Sequence, residues 1–154
     1  MKTPNDIIDR AYNIMIEAGF HNQITGEVIK DPAQTISGEC LLITGIIADH
    51  GYGAVDVSEI TFNLLIPDKQ GTTDYQRFRF LAKQLNNILN NHKSYDSDFV
   101  QYERNNQGAE QTSDVIPADE YFHIIKRTTT GYTHDPERQG YSYYSVRTTC
   151  WIEK

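Results

Sequence analysis

Five histidines, two cysteines and three close carboxylate pairs are the groups in this chain best suited to chemistry, and their spacing argues against most of it. Two histidines four residues apart on a helix would set two imidazoles on one face and begin a zinc site. His21, His50, His92, His123 and His134 contain no such pair, and no cysteine lies near any of them. A metal centre would need several distant segments to converge, so neither a metal nor another cofactor is expected. His134-Asp135-Pro136-Glu137 carries ligand-type side chains, but Pro136 and its Thr and Gly neighbours read as a turn. His50 falls in turn residues and His123 in a strand, where surface exposure or local satisfaction is expected rather than catalysis.

The carboxylate pairs are Asp6/Asp9, Asp96/Asp98 and Asp119/Glu120. Acid–base catalysis needs two carboxyls in different environments within one cleft. The first pair lies on the solvated side of a helix and the others flank strands, so a solvated role is expected. Gly51-Tyr52-Gly53 lacks the following helix that a phosphate-binding loop requires. Ser, His and Asp are too scattered to nominate a triad. Cys40 and Cys150 sit in apolar or Thr-rich strands and read as two small buried thiols; a disulfide would require their strands to be neighbours. No catalytic residue is nominated, and the chain is expected not to be an enzyme.

These groups must be positioned by a fold whose outline is legible. At 154 residues the chain fits one domain, and 38% hydrophobic residues suit one thin sheet-plus-helix core better than two cores. Ten Tyr against six Phe and one Trp favour strands, where Tyr suits a half-buried pleated surface. The formal charge of −7 argues against tight, sequence-independent duplex binding, which depends on Lys and Arg releasing counterions. The start Met1-Lys2-Thr3-Pro4 lacks a signal-peptide core and no apolar run approaches ~20 residues, so cytoplasmic synthesis and no membrane span are expected.

Thr3-Pro4-Asn5-Asp6 reads as a helix start, with Ile7, Ile8, Ala11, Ile14, Met15 and Ala18 at helical spacing and Gly19 as a left-handed stop. A short extended piece over 20–30 is broken at Thr25-Gly26. Residues 39–48 are apolar on both faces and predict a central strand, with a possible bulge at Gly45. Turn residues at 49–53 return the chain antiparallel into a strand ending Ile60-Thr61-Phe62-Asn63-Leu64-Leu65-Ile66-Pro67, with a bulge expected near Ser58-Glu59. Thr73-Asp74-Tyr75-Gln76 reads as a capping box opening a helix from about 74 to 91, striped by Phe78, Leu81, Leu85, Ile88 and Leu89. A weak strand at 97–103, a strand at 121–128 and a long strand at 141–152 complete the order α-β-β-β-α-β-β-β. The fold class is α+β, a single domain over 1–154, with a mostly antiparallel sheet and two amphipathic helices on one face.

Two features read as interaction surface. The closing strand should present Ser142, Tyr144, Val146, Thr148, Cys150 and Ile152 on one face and Tyr141, Tyr143, Arg147 and Trp151 on the other. Tyr, Trp and Arg are the types that anchor interfaces, so Tyr141, Tyr143, Arg147 and Trp151 are the candidate contact residues, set against an ordinary half-buried strand. The polar loops 104–114 and 129–140 are long enough to be functional or mobile, ordering on a neighbour.

In element order the chain resembles the tail-terminator and tail-completion proteins of tailed bacteriophages, small α+β ring proteins of the head–tail junction. Three stretches carry the likeness: the opening helix Pro4-Asn5-Asp6-Ile7-Ile8, the strand Ile60 to Pro67 before the second helix, and the closing strand Ser145-Val146-Arg147-Thr148-Thr149-Cys150-Trp151-Ile152. The long 104–114 insert and the Thr25-Gly26 break depart from the family pattern. The resemblance implies a non-enzymatic subunit, in the virion of a phage or prophage, that assembles as a homo-oligomeric ring with other virion or tail proteins. DNA would pass through the ring lumen, and an acidic chain would let it slide. The competing expectations are a small ligand-binding or enzymatic α+β domain and a bacterial adaptor that docks a partner by an edge strand.

Overall fold

The computed structural model describes residues 4–49, 55–90 and 122–153. Helix α1 spans Pro4–Glu17, opening on the proline whose missing N–H no helix needs at its first turn. It ends at Gly19, which adopts φ +78, the left-handed stop read from the sequence. A 3-10 turn at Phe20–Asn22 follows, and only Val28–Ile29 of the expected extended piece forms a strand, β1. Strands β2 (Cys40–Asp49) and β3 (Val55–Pro67) precede helix α2 (Tyr75–Asn90), then come β4 (Phe122–Thr129), β5 (Thr133–His134) and β6 (Tyr141–Glu153). The cap residue Thr3, residues 50–53 of the hairpin turn, Tyr121, the 97–103 strand and the 104–114 loop lie outside the described residues.

The α+β reading stands. The sheet runs β1-β2-β3-β6-β4, with β5 also on β6, and every pair is antiparallel except β1 with β2. Register sorts the side chains as alternation requires. Leu41, Ile43, Ile60, Phe62, Leu64, Ile66, Tyr144 and Val146 point to one face, where they form one core with Ala11, Ile14 and Met15 of α1 and Phe78, Leu81, Leu85 and Leu89 of α2. Both helices therefore cover the same face. Each of the Leu, Ile, Val, Met and Phe side chains removed from water contributes roughly 1.5–3 kcal/mol, which makes this layer the main source of stability.

Three local expectations change. No bulge occurs at Ser58-Glu59: β3 pairs with β6 without interruption from Val55 to Pro67, and the register shift lies across the hairpin, between Ile47 and Asp49 of β2. Ser58 itself takes the inward position, fully buried, so no change of parity had to be absorbed. Gly45 is not a bulge either, since it pairs regularly with Ile60. Its role is approach: an added Cβ would stand 3.4 Å from Ile8 Cγ1, where α1 crosses the sheet. The cap of α2 is Asp74, whose carboxylate accepts the Arg77 N–H at 3.2 Å. The Thr73 hydroxyl is instead buried against Ser142 Oγ at 2.9 Å.

The 129–140 stretch, read from the sequence as a polar loop, folds back along β6 and contains the short strand β5. Thr130 N donates to Ser145 O at 3.0 Å and Ser145 N to Thr130 Oγ1 at 3.0 Å. Tyr132 stacks on Phe78 at 5.0 Å between ring centroids and leans on Tyr144 at 5.4 Å. One aromatic residue in a polar segment thus anchors it to the helix side of the sheet.

Candidate interaction surface

Among the described residues the second face of the sheet carries a small apolar cluster: Ile29, Cys40, Leu42 and Leu65, with Ile36, Tyr141 and Tyr143 against it. Two segments fold over it. The 30–38 segment brings Ile36 down, and the Tyr141 hydroxyl donates to Gly38 O at 3.2 Å. From the other side comes the turn Asp135–Arg138, stiffened by Glu137 N donating to Asp135 Oδ1 at 2.9 Å and by Asp135 N donating to Tyr141 O at 2.9 Å. Arg138 ties the two together, donating to Pro32 O at 3.0 Å and pairing with Asp135 Oδ2 at 3.4 Å. Between them lies a cleft of about 290 Å³, floored by Leu42, Leu65 and Tyr143 and rimmed by Asn63, Pro32 and Glu137. Beyond the turn the face becomes a polar strip. Ser145 Oγ donates to Asn63 Oδ1 at 2.6 Å, Asn63 Nδ2 donates to Leu42 O at 3.3 Å, and Arg147 pairs with Glu59 at 3.2 Å.

The four expected contact residues are therefore distributed unevenly. Tyr141 and Tyr143 are half-buried on this face, as alternation required, and Arg147 is exposed further along it. Tyr141 serves the fold more than the surface, and burial pushes its hydroxyl above the ordinary tyrosine value. Trp151 lies in register with Val57 and His123 at the far end of β6, and its side chain lies outside the described residues.

The structure brings one Ser, His and Asp together where the sequence nominated none. Ser142 Oγ donates to Asp68 Oδ1 at 2.6 Å, and His134 Nδ1 faces Asp68 Oδ2 at 3.3 Å and Ser142 Oγ at 3.4 Å. The arrangement is not that of a nucleophile. A triad uses the two imidazole nitrogens separately, one on the serine and one on the acid. Here one nitrogen faces both, the serine is fully buried, and its proton already goes to the carboxylate. With Thr73, the group joins β5 and β6 to the β3–α2 connection. No pattern in the sequence could have found it, because Asp68 and Ser142 are 74 residues apart.

A second polar centre binds the start of α2 to the 23–39 segment. Arg77 grips Glu39 with two nitrogens, Nη2 lying 2.8 Å from Oε1, and also reaches Gln23 O at 2.6 Å. Glu39, 7% exposed, accepts Thr25 N at 3.2 Å, while Glu39 N donates to Thr25 Oγ1 at 2.9 Å. The hydrogen bonds to Glu39 hold Arg77 above its ordinary value. The Thr25-Gly26 break is part of this centre: an added Cβ at Gly26 would press on the carbonyl oxygens of Ser37 and Glu39, so the crossing requires glycine.

The remaining reactive groups stay apart. Cys40 and Cys150 are free and buried on opposite faces, with β3 between their strands. Cys40 lies level with Tyr143 through β3, so about seven residues of β6, or ~23 Å, separate the two thiols along the sheet. Burial pushes the Cys150 thiol up to about 12 against a partial offset from the Thr148 hydroxyl. His21 is exposed at the 3-10 turn, and His50 and His92 lie outside the described residues, as does the side chain of His123. Asp9 pairs with Lys30 at 3.0 Å at the surface. Asp96, Asp98, Asp119 and Glu120 lie outside the described residues. Among the described residues no group of three His, Cys, Asp or Glu could hold a metal ion, and no helix is long and apolar enough to cross a membrane. The sequence matches no family model and no curated protein.

Proposed function

We propose that this chain is a non-enzymatic assembly subunit that builds a homo-oligomeric ring at the head–tail junction of a tailed bacteriophage or prophage, contacting other virion or tail proteins while DNA passes through the lumen. The observation that carries this reading is the second face of the sheet. Two helices cover one face, whereas among the described residues the other presents a rigid cleft, half-buried Tyr143, and a strip of paired polar groups ending at exposed Arg147. A stiff face of mixed apolar floor and polar rim is what a protein neighbour recognises. The polar clusters of catalytic residue type are consumed in holding segments together, which favours scaffold over enzyme. The net charge of −7 suits a lumen that does not grip phosphate.

Light scattering behind size exclusion, across a wide concentration range, tests it: a ring-sized particle, or a concentration-driven shift toward one, is expected. A strict monomer throughout overturns the self-assembling ring. Tight duplex binding at physiological salt would sink the sliding lumen. One observation favours a second reading, an adaptor: among the described residues β4 stands last in the strand order β1-β2-β3-β6-β4, the kind of position at which a partner strand docks. A stable monomer that binds an extended peptide along β4 would select that alternative.

A further inference from the structure

Helix α2 has an outer face that its packing does not explain. Gln76, Phe80, Lys83 and Asn87 follow one another at spacings of four, three and four residues, all exposed, with Arg79 beside them. The helix holds three basic residues and no acidic one within a chain of net charge −7. Arg79 and Lys83 make no ion pair among the described residues. Phe80 is 45% exposed, and its ring is held from one side by the Arg77 guanidinium at 5.3 Å. Arg77 is itself held by Glu39, so the guanidinium that lies over the ring is fixed in place. An exposed aromatic flanked by cations has the make-up of an interface anchor.

The same molecule carries the complement on its other side. The cleft on the second sheet face has an apolar floor, Leu42, Leu65 and Tyr143; of its charged lining residues Arg138 and Asp135 pair with each other, which leaves the exposed acid Glu137, and exposed Asp31 adjoins the lining residue Pro32. Its volume, about 290 Å³, exceeds the ~150 Å³ that accommodates a benzene ring in an apolar cavity. We infer that Phe80 of one copy enters the cleft between Pro32 and the Asp135–Arg138 turn of a second copy, with Arg79 and Lys83 facing Glu137 and Asp31. This deepens, and rests on, the ring reading above. The two patches lie on opposite sides of one sheet, so a twofold axis cannot satisfy both at once. The contact is head-to-tail, and head-to-tail contacts close into rings when the rotation allows. A phosphate backbone is the poorer occupant, since three cations on an acidic protein release few counterions.

The test uses the full chain and the same light-scattering measurement. Phe80→Ala should raise the concentration for half-dissociation by about tenfold or more, with the far-UV circular dichroism spectrum unchanged because the ring lies outside the main core. Lys83→Glu and Glu137→Lys should each weaken association, and mixing the two variants should restore it by pairing the reversed charges. Wild type that assembles while all three variants assemble equally well overturns the contact and leaves the ring reading intact. Wild type that remains monomeric overturns both. Binding of a labelled DNA duplex that Arg79→Ala/Lys83→Ala abolishes overturns the inference in favour of phosphate recognition.

Discussion

Replacing Arg77 with Met keeps an unbranched apolar stem, removes the guanidinium with its charge and leaves Glu39 where it is. The cost follows from which partner is buried. Glu39 has a side-chain exposure of 9% against 32% for Arg77, so the variant strands a carboxylate that retains only the Thr25 N–H. Breaking a fully buried pair by removing one partner costs about 3–5 kcal/mol, and the partial exposure here reduces that to about 2 kcal/mol. The reverse change, Glu39→Gln, leaves a guanidinium that water and Gln23 O can still satisfy, and should cost about 1 kcal/mol. The double variant should lose less than the sum, giving a coupling of about 1 kcal/mol or more. Urea denaturation reads all three; with a slope of about 2 kcal/mol/M, Arg77→Met should lower the midpoint by about 1 M at unchanged slope. Equal costs for the two single variants, or strict additivity, would refute the assignment of the buried charge to Glu39.

Gly26→Ala should destabilise by about 1–3 kcal/mol on thermal melting, because the new Cβ meets the backbone carbonyls of Ser37 and Glu39 rather than a side chain that could yield. Ser142→Ala should cost about 1 kcal/mol by leaving Asp68 without a buried donor, and should not alter any ester-hydrolysis background; loss of such a background would overturn the structural reading of the cluster. For Cys150 the sign is set by burial. Below its unperturbed value of 9 the thiol is neutral in both states; between pH 9 and about 12 only the unfolded chain ionises it, so stability falls across that window. Cys150→Ala should remove up to about 1.4 kcal/mol per pH unit of that loss relative to wild type, and neither thiol should react with an aromatic disulfide reagent until the protein unfolds.

Patterns that repeat along the chain were legible without coordinates. Helix α1 was marked by Pro4 and Gly19, α2 by Phe78, Leu81, Leu85 and Leu89, and the two faces of β6 by strict alternation from Tyr141 onward. In each case a local period and a terminal residue carry the information, and burial follows the period. The misjudged points share a different character. The Thr73 cap was displaced because its hydroxyl had a buried partner on β6, and the short strand β5 within 129–140 was missed because its partner lies on β6 and the nearby Tyr132 reaches Phe78 on α2.

The sequence by itself determined the class of fold, the face each long element buries, and the lack of a contiguous metal or phosphate motif, since all of these rest on spacing within a few residues. Only the tertiary structure decided which polar groups meet. Asp68 finds Ser142 and Arg77 finds Glu39 across 74 and 38 residues, through a strand order that the chain's local periods do not encode. The cleft beside Arg138 and the outward Phe80 belong to that second kind of information. A surface is defined by what the packing leaves uncovered, and packing is a property of the whole chain.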